Sequence, residues 1–236
     1  MTNMNGSDGD SDDVNEQVRL AEIGRATARL IHDFKNQLGG LKLYAAYLKK
    51  RFDGNPDVAE GLEIADKIVQ TINDMSENAT LIGRLSRPVE LKPTKTRFAS
   101  LVEQAINQLR PQFEERRLKI ETEIAETPPM QIDSQQMLSA LSAMIVRSVE
   151  ASAEGAKLRL KLQSSDARLM FSIFDEGKQL TEEQRQSLFA FLTNERMNKT
   201  SLNLTLARRI IEAHGGQIVA LASEPSGLEI RITIGF

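Results

Sequence analysis

The sequence predicts an α+β protein in which a long antiparallel helical hairpin is followed by an α/β sandwich. Two observations carry this prediction. Apolar residues recur at alternating spacings of three and four from about residue 16 to residue 88, which is the period of packed helices. From residue 89 to the end, helical patterns alternate with short strand patterns. We therefore expect two domains, 16–88 and 89–236, after a disordered acidic tail at 1–15.

The hairpin prediction depends on two apolar seams. The first helix is predicted from about Val14 to Phe52, and "DGNP" at 53–56 predicts the turn. Its seam consists of Leu20, Thr27, Phe34, Leu41 and Leu48 on one line and Ile23, Leu30, Gln37 and Tyr44 on the other. The second seam consists of Val58, Ala65, Ile72 and Ala79 on one line and Gly61, Ile68, Met75 and Ile82 on the other. Because one hairpin covers only one stripe of each helix, we expect a homodimer that forms a four-helix bundle.

The remaining elements follow from local patterns. We predict helices at 97–116, 134–152, 181–192 and 202–214. Strands are predicted at "LKIETEI", "MQI", "AKLRLKLQ" and "ARLMFSIFDEG", and "GGQIVALASEPSGLEIRITIGF" reads as a closing hairpin. This order predicts a mixed sheet with helices on one face.

Composition excludes several classes of function. The net charge is -3 and the pI is near 5.6, so nothing in the charge favours nucleic acid or an anionic membrane as a partner. The chain has no cysteine, which excludes disulfides, a thiolate nucleophile and cysteine-ligated zinc. No apolar run approaches 18 residues and the N-terminus does not have the pattern of a signal peptide. We therefore expect a cytoplasmic protein.

His32 is one of only two histidines, and its neighbours make it a candidate nucleophile. In the predicted register it lies on the outward face of the first helix, with Asp33 next to it and Asn36 one turn further along. A neutral imidazole is a good nucleophile near pH 7, and a carboxylate can hold its second ring N–H. The alternative is an ordinary surface histidine. For His214, in "EAHGG", a structural role at a helix end is expected instead.

The segment "IHDFKNQL" on the first helix, followed by this α/β order and by "LARRIIEAHGGQI", resembles the transmitter module of bacterial sensor histidine kinases. The resemblance extends from about residue 16 to the end. It implies that the sandwich is of the histidine-kinase ATPase type. It also implies that His32 accepts a phosphoryl group and passes it to a receiver-domain aspartate, that Asp33 is the base that orients the imidazole, and that Asn36 places water for dephosphorylation.

The nucleotide motifs depart from the pattern of this family. Alignment of "DSQQMLSALSAMIVRSVEAS" places Arg147 where the family has a magnesium-binding asparagine. The next motif survives as "DEGKQ", which keeps Asp175 and Gly177, whereas the phosphate segment reads "SLNLTL" with Ser201 and Asn203 at glycine positions. A cation at a metal site repels the metal, so we expect no cofactor, with both ATP and magnesium binding lost.

We expect a histidine phosphotransferase of a two-component phosphorelay that works through His32 without ATP. Its expected partners are a response-regulator receiver domain, a hybrid histidine kinase and a second copy of the chain, with no nucleic acid and no membrane. Two alternatives stay open at this point. One is a cytosolic sensor histidine kinase with an atypical ATP site, and the other is a pseudokinase scaffold.

Overall fold

The structure is a computed structural model that describes residues 34–48, 50, 58–165, 168–190, 199–224 and 226–235. These residues belong to two compact units, one of which contains the helices up to Ser86, while the other begins at Arg87. The chain is an α+β protein, as the sequence predicts. The tail at 1–15, the first half of the first helix and the "DGNP" turn lie outside the described residues.

The first unit contains helix α1, residues 34–48, and helix α2, Val58–Leu85. Every predicted seam position of α1 within the described residues is half-buried, whereas nearly all other α1 positions are exposed. These half-buried positions are Phe34, Gln37, Leu41, Tyr44 and Leu48. The outward face of α1 therefore lies where the 3–4 pattern places it.

Helix α2 keeps one predicted seam line and shifts the other. Ile82 is buried, and Ile68 and Met75 are half-buried, as predicted. On the other predicted line, Ala65 is half-buried but Ile72 is 51% exposed, and the buried described residues of α2 besides Ile82 are Ile64, Leu81 and Leu85. A helix has 3.6 residues per turn, so neighbouring apolar positions compete for the inward stripe, and the pattern alone did not decide between them.

The second unit is built around a five-stranded sheet with the order β2-β4-β5-β7-β6. The strands are β2 Lys119–Ile124, β4 Lys157–Ser164, β5 Arg168–Asp175, β6 Gln217–Ala222 and β7 Leu228–Gly235. The β2 and β4 strands pair in parallel, and every other neighbouring pair in this sheet is antiparallel. Two short strands, β1 Thr94–Arg97 and β3 Pro129–Ile132, form a separate antiparallel ribbon. Sequence reasoning missed β1, because four polar residues give no apolar alternation.

Four described helices complete this unit: α3 Phe98–Glu115, α4 Ser134–Ala151, α5 Glu182–Ser187 and α6 Lys199–Ala213, of which Lys199 itself is assigned to the first unit. Alternate residues of the central strands are buried on one face of the sheet, where Phe98 of α3 lies 6.3 Å from Phe171 of β5 between ring centroids. The opposite face is polar, with Arg159 lying over the Phe174 ring at 5.1 Å. Helix α5 ends at Ser187, which is shorter than the predicted 181–192.

Candidate functional site

The predicted phosphoacceptor segment is only partly described. Asn36 lies on the exposed face of α1, between the half-buried positions Phe34 and Gln37. His32 and Asp33 lie outside the described residues. The site that they form with Asn36 is therefore a prediction from sequence.

The structure brings together two of the predicted nucleotide-site residues at the end of α4. The Nη1 atom of Arg147 lies 2.6 Å from Oδ2 of Asp175, the last residue of β5. The other carboxylate oxygen, Oδ1, accepts a hydrogen bond of 3.0 Å from the backbone N–H of Gly177. Arg147 is 9% exposed and Asp175 is 2% exposed, so this is a buried ion pair. Both oxygens of the carboxylate already have a donor.

Two glycines shape the corner at Asp175. A Cβ on Gly177 would lie 2.7 Å from the carbonyl oxygen of Ala151, so only glycine fits there without a shift of the backbone. Gly227 has a φ of +101°, and a Cβ on it would lie 1.8 Å from the carbonyl oxygen of Asp175. Sequence reasoning identified Gly177 but missed Gly227. The "PSG" turn before β7 was the only sequence signal for it.

The resemblance assigns this corner to the base of a nucleotide. Asp175 provides a buried carboxylate acceptor of the kind that an adenine amino group requires, provided that Arg147 shares it or moves away. The described residues contain no group of three or more histidine and carboxylate side chains that could hold a metal ion, so no magnesium ligand is assigned among them.

The segment at the predicted phosphate position is helical. Ser201 and Asn203 are both half-buried within α6. Just before them, the Thr200 hydroxyl donates to a carboxylate oxygen of Glu150 in α4 at 2.7 Å. The last turn of α4 therefore contacts both the Asp175 corner and the first described turn of α6. The "TNERMNK" segment falls almost entirely outside the described residues.

A third polar cluster joins α4 to α6 and was not predicted. Asp133 caps α4 by accepting from the Gln136 N–H at 3.0 Å, and its own N–H donates to Nε2 of His214 at 3.0 Å. On the other side of the same ring, His214 Nδ1 lies 2.7 Å from the Ile210 carbonyl oxygen, so both ring nitrogens have a backbone partner. His214 follows α6 directly and precedes Gly215, whose φ is +73°, which agrees with the structural role expected for it.

Electrostatics favour the ionised form of Asp133. Burial alone would raise its pKa, but hydrogen bonds from the Lys92 N–H and from Gln136, together with the nearby His214 ring, lower the pKa below the ordinary value of 3.8. Asp133 therefore caps α4 as a carboxylate over the neutral pH range.

None of the described helices has the length and hydropathy of a membrane-spanning segment.

Comparison with known proteins shows what this chain is similar to. Residues 132–236 match the profile of the family described as "Histidine kinase-, DNA gyrase B-, and HSP90-like ATPase". Among curated proteins, the chain is 23% identical to the adaptive-response sensory kinase SasA of a Synechococcus species over 89% of its length and 58% of that protein. It is 20% identical to the sensor histidine kinase ZraS of Escherichia coli over 92% of its length and 46% of that protein. The chain thus spans about half the length of the curated relatives it matches.

Solved structures show the same fold. The histidine kinase ThkA in complex with the response regulator protein TrrA aligns over 99% of this chain and 68% of that one, with a TM-score of 0.78 and 18% identity. The Acinetobacter baumannii histidine kinase AdeS aligns over 86% of this chain and 97% of that one, with a TM-score of 0.61 and 20% identity.

The expectation that ATP and magnesium binding is lost is wrong. The matched span includes Arg147, Asp175, Gly177, Ser201 and Asn203, so the similarity to an ATPase family extends across the substituted positions, and the matched relatives are sensor kinases. The expectation was based on single motif positions. The sheet and the Asp175–Gly177 corner nevertheless form as the family resemblance implies. Residues 132–236 are therefore similar to the histidine kinase-, DNA gyrase B- and HSP90-like ATPase family, and the whole chain resembles the transmitter module of sensor histidine kinases.

Proposed function

We propose that this chain forms a phosphohistidine at His32 and exchanges the phosphoryl group with an aspartate on a response-regulator receiver domain. The observation that supports this proposal is the order of two features in one chain. The "HDFKN" segment comes first, with its described residues Lys35 and Asn36 exposed on α1, and a region that matches the histidine kinase-like ATPase profile follows it. The structural neighbour ThkA, which was solved in complex with a response regulator protein, supports the choice of partner.

The proposed transfer needs only groups that this chain and the receiver supply. An unprotonated imidazole nitrogen of His32 attacks the phosphorus of the receiver's aspartyl phosphate. The P–N bond forms as the bond from phosphorus to the carboxylate oxygen breaks, and the aspartate leaves with the electron pair. Asp33 orients the ring through its second N–H. Transfer in the other direction reverses these steps, and Asn36 positions water for loss of phosphate from the regulator.

A second candidate function is autophosphorylation of His32 from ATP, and the family match of residues 132–236 favours it. In this function the Asp175 corner binds the nucleotide base. The two functions differ only in the phosphoryl donor, because His32 is the acceptor in both. A pseudokinase scaffold would use the same surfaces and form no phosphohistidine.

We also propose that the protein is a homodimer formed through the helical unit. Ile72, Val69 and Tyr47 are large apolar residues that are about half exposed in the single chain. Ile72 lies on the predicted seam line that does not turn inward. A second hairpin packed against this line would complete a four-helix bundle.

The test is formation of acid-labile, base-stable phosphoprotein by the full chain. It is incubated first with radiolabelled ATP and magnesium, and then with a receiver domain that carries labelled aspartyl phosphate. His32→Gln should abolish labelling, because the nucleophile is gone. The matched control is His214→Gln, which removes the only other histidine and should keep the label. Label from ATP identifies a kinase, and label only from the receiver identifies a phosphotransferase.

Two further variants test the roles of the neighbours of His32. Asp33→Asn should slow the labelling by about a hundredfold to ten-thousandfold without abolishing it, because orientation assists the attack but does not supply the nucleophile. Asn36→Ala should keep the labelling and slow only the loss of phosphate from the regulator. A wild-type protein that binds the receiver but is labelled by neither donor would contradict the proposal and favour a scaffold.

A further inference from the structure

The last turns of α4 already occupy the corner that a nucleotide base would use. The Arg147 guanidinium lies 2.6 Å from the Asp175 carboxylate, and the pair is buried. A guanidinium offers N–H donors, as an adenine amino group does, and it carries a full charge as well. A base that approaches Asp175 therefore meets an acceptor that is bound to a stronger donor of the same chain.

The same turn of α4 makes a second contact near the predicted phosphate segment. Glu150 lies three residues after Arg147, and its carboxylate accepts from the Thr200 hydroxyl at 2.7 Å. Ser201 and Asn203 follow directly. By the resemblance, this segment would bind the phosphate groups of a nucleotide. The Glu150 carboxylate beside it carries the same sign of charge as those phosphates and would repel them. One helical turn thus places a cationic donor at the base corner and an anion beside the phosphate segment.

We propose that Arg147 and Glu150 form an internal lock, the α4 lock, that closes the nucleotide site until nucleotide displaces Arg147 from Asp175. This inference rests on the proposal that residues 132–236 bind ATP. A lock of this kind lowers the apparent affinity by the fraction of molecules that are open. Arg147 contributes most of the effect, because its ion pair is buried, whereas the Glu150 contact is exposed and therefore weak.

The experiment is calorimetric titration of the full chain with ATP and magnesium chloride. Arg147→Met removes the competing charge and its donors and adds no metal ligand, so it should tighten ATP binding at least tenfold, equivalent to about 1.4 kcal/mol. Glu150→Gln should tighten it by no more than about threefold, because an exposed contact is weak. The matched control is Arg116→Met. Arg116 donates to the carbonyl oxygens of Val149 and Ser152 at the same helix end and does not contact Asp175, so the affinity should not change.

Arg147→Gln provides a second variant in case the methionine variant does not fold. The glutamine keeps a neutral amide donor for Asp175. We therefore expect Arg147→Gln to increase the ATP affinity as well, but by less than Arg147→Met. If both Arg147 variants bind ATP as the wild type does or more weakly, the lock is refuted and the proposed ATP site stands, with Arg147 as part of it. If no variant and no wild type binds ATP, the lock fails together with the ATP-binding proposal, whereas phosphotransfer from a receiver is measured independently.

Discussion

Removal of one partner from the buried Arg147–Asp175 pair should destabilise the ATPase-like unit strongly. Asp175 is 2% exposed, and without Arg147 its carboxylate would keep only the hydrogen bond from the Gly177 N–H. Breaking a buried pair in this way typically costs about 3–5 kcal/mol, because a charge is left buried without a counter-charge. Arg147→Met should therefore lower the free energy of unfolding of this unit by about that amount.

The change in melting temperature that corresponds to this loss of free energy depends on the size of the unit. For a domain of this size each kcal/mol corresponds to roughly 2–4 °C, so the expected decrease in Tm is about 6–20 °C. Differential scanning calorimetry of the full chain, without nucleotide, is the assay. The exposed Lys157–Glu121 pair on the opposite face of the sheet offers a matched control, with an N–O distance of 2.8 Å. Lys157→Met should cost less than about 1 kcal/mol.

A double variant distinguishes the cost of an unpaired buried charge from the cost of lost packing around the pair. Asp175→Asn combined with Arg147→Met leaves neither charge of this pair in place, so it should recover most of the stability lost in Arg147→Met. A decrease in Tm below about 2 °C for Arg147→Met, or equal decreases for the Arg147 and Lys157 variants, would refute the reasoning. Either result would mean that Asp175 gains a different partner or that water reaches it.

Three further variants test other parts of the structure. Asp133→Ala removes the N-cap of α4 and should cost about 1–2 kcal/mol at pH 7 by urea denaturation. Because its pKa is lowered in the folded state, the stabilisation is present above 3.8 and is lost as the pH falls through the folded-state value, so the difference from wild type should shrink at pH 3. Gly227→Ala should cost more than Gly155→Ala in the same assay, since both have positive φ but only Gly227 faces a backbone carbonyl at 1.8 Å. Ile72→Glu should give a monomer by light scattering if the helical unit forms the dimer, and an unchanged dimer would place the interface elsewhere.

Much of the fold could be predicted because it depends on local period. From residue 34 onwards, where α1 is described, its seam agrees with the structure position by position, since a sustained 3–4 spacing defines one face of a helix. The strand β1 could not be predicted in the same way. Its four residues, "TKTR", are largely polar, and they form a strand because β3 pairs with them across 38 residues from Thr94 to Ile132. A pairing at that distance leaves no periodic signal in either strand.

The candidate site shows the same division. Asp175 and Gly177 could be identified from sequence, because a short motif carries them and a strand ends there. The hydrogen bond between Asp133 and His214 joins residues 81 positions apart and could not be identified. Periodicity predicts which face of a helix turns inward, but not which side chain it meets there.

Arg147 shows why a substituted motif letter is a poor measure of a lost site. Considered alone, a cation at a metal-ligand position repels a metal, and the prediction of lost ATP and magnesium binding rested on that repulsion together with the substituted glycines at Ser201 and Asn203. In the fold the charge is balanced inside the domain, because Asp175, 28 residues away, holds the guanidinium at 2.6 Å. A buried arginine without such a partner would destabilise the unit. The ion pair with Asp175 is therefore what allows Arg147 to be buried in this fold. Nucleotide binding at this corner then depends on the free energy needed to separate Arg147 from Asp175. The identity of residue 147 in the sequence does not give that free energy.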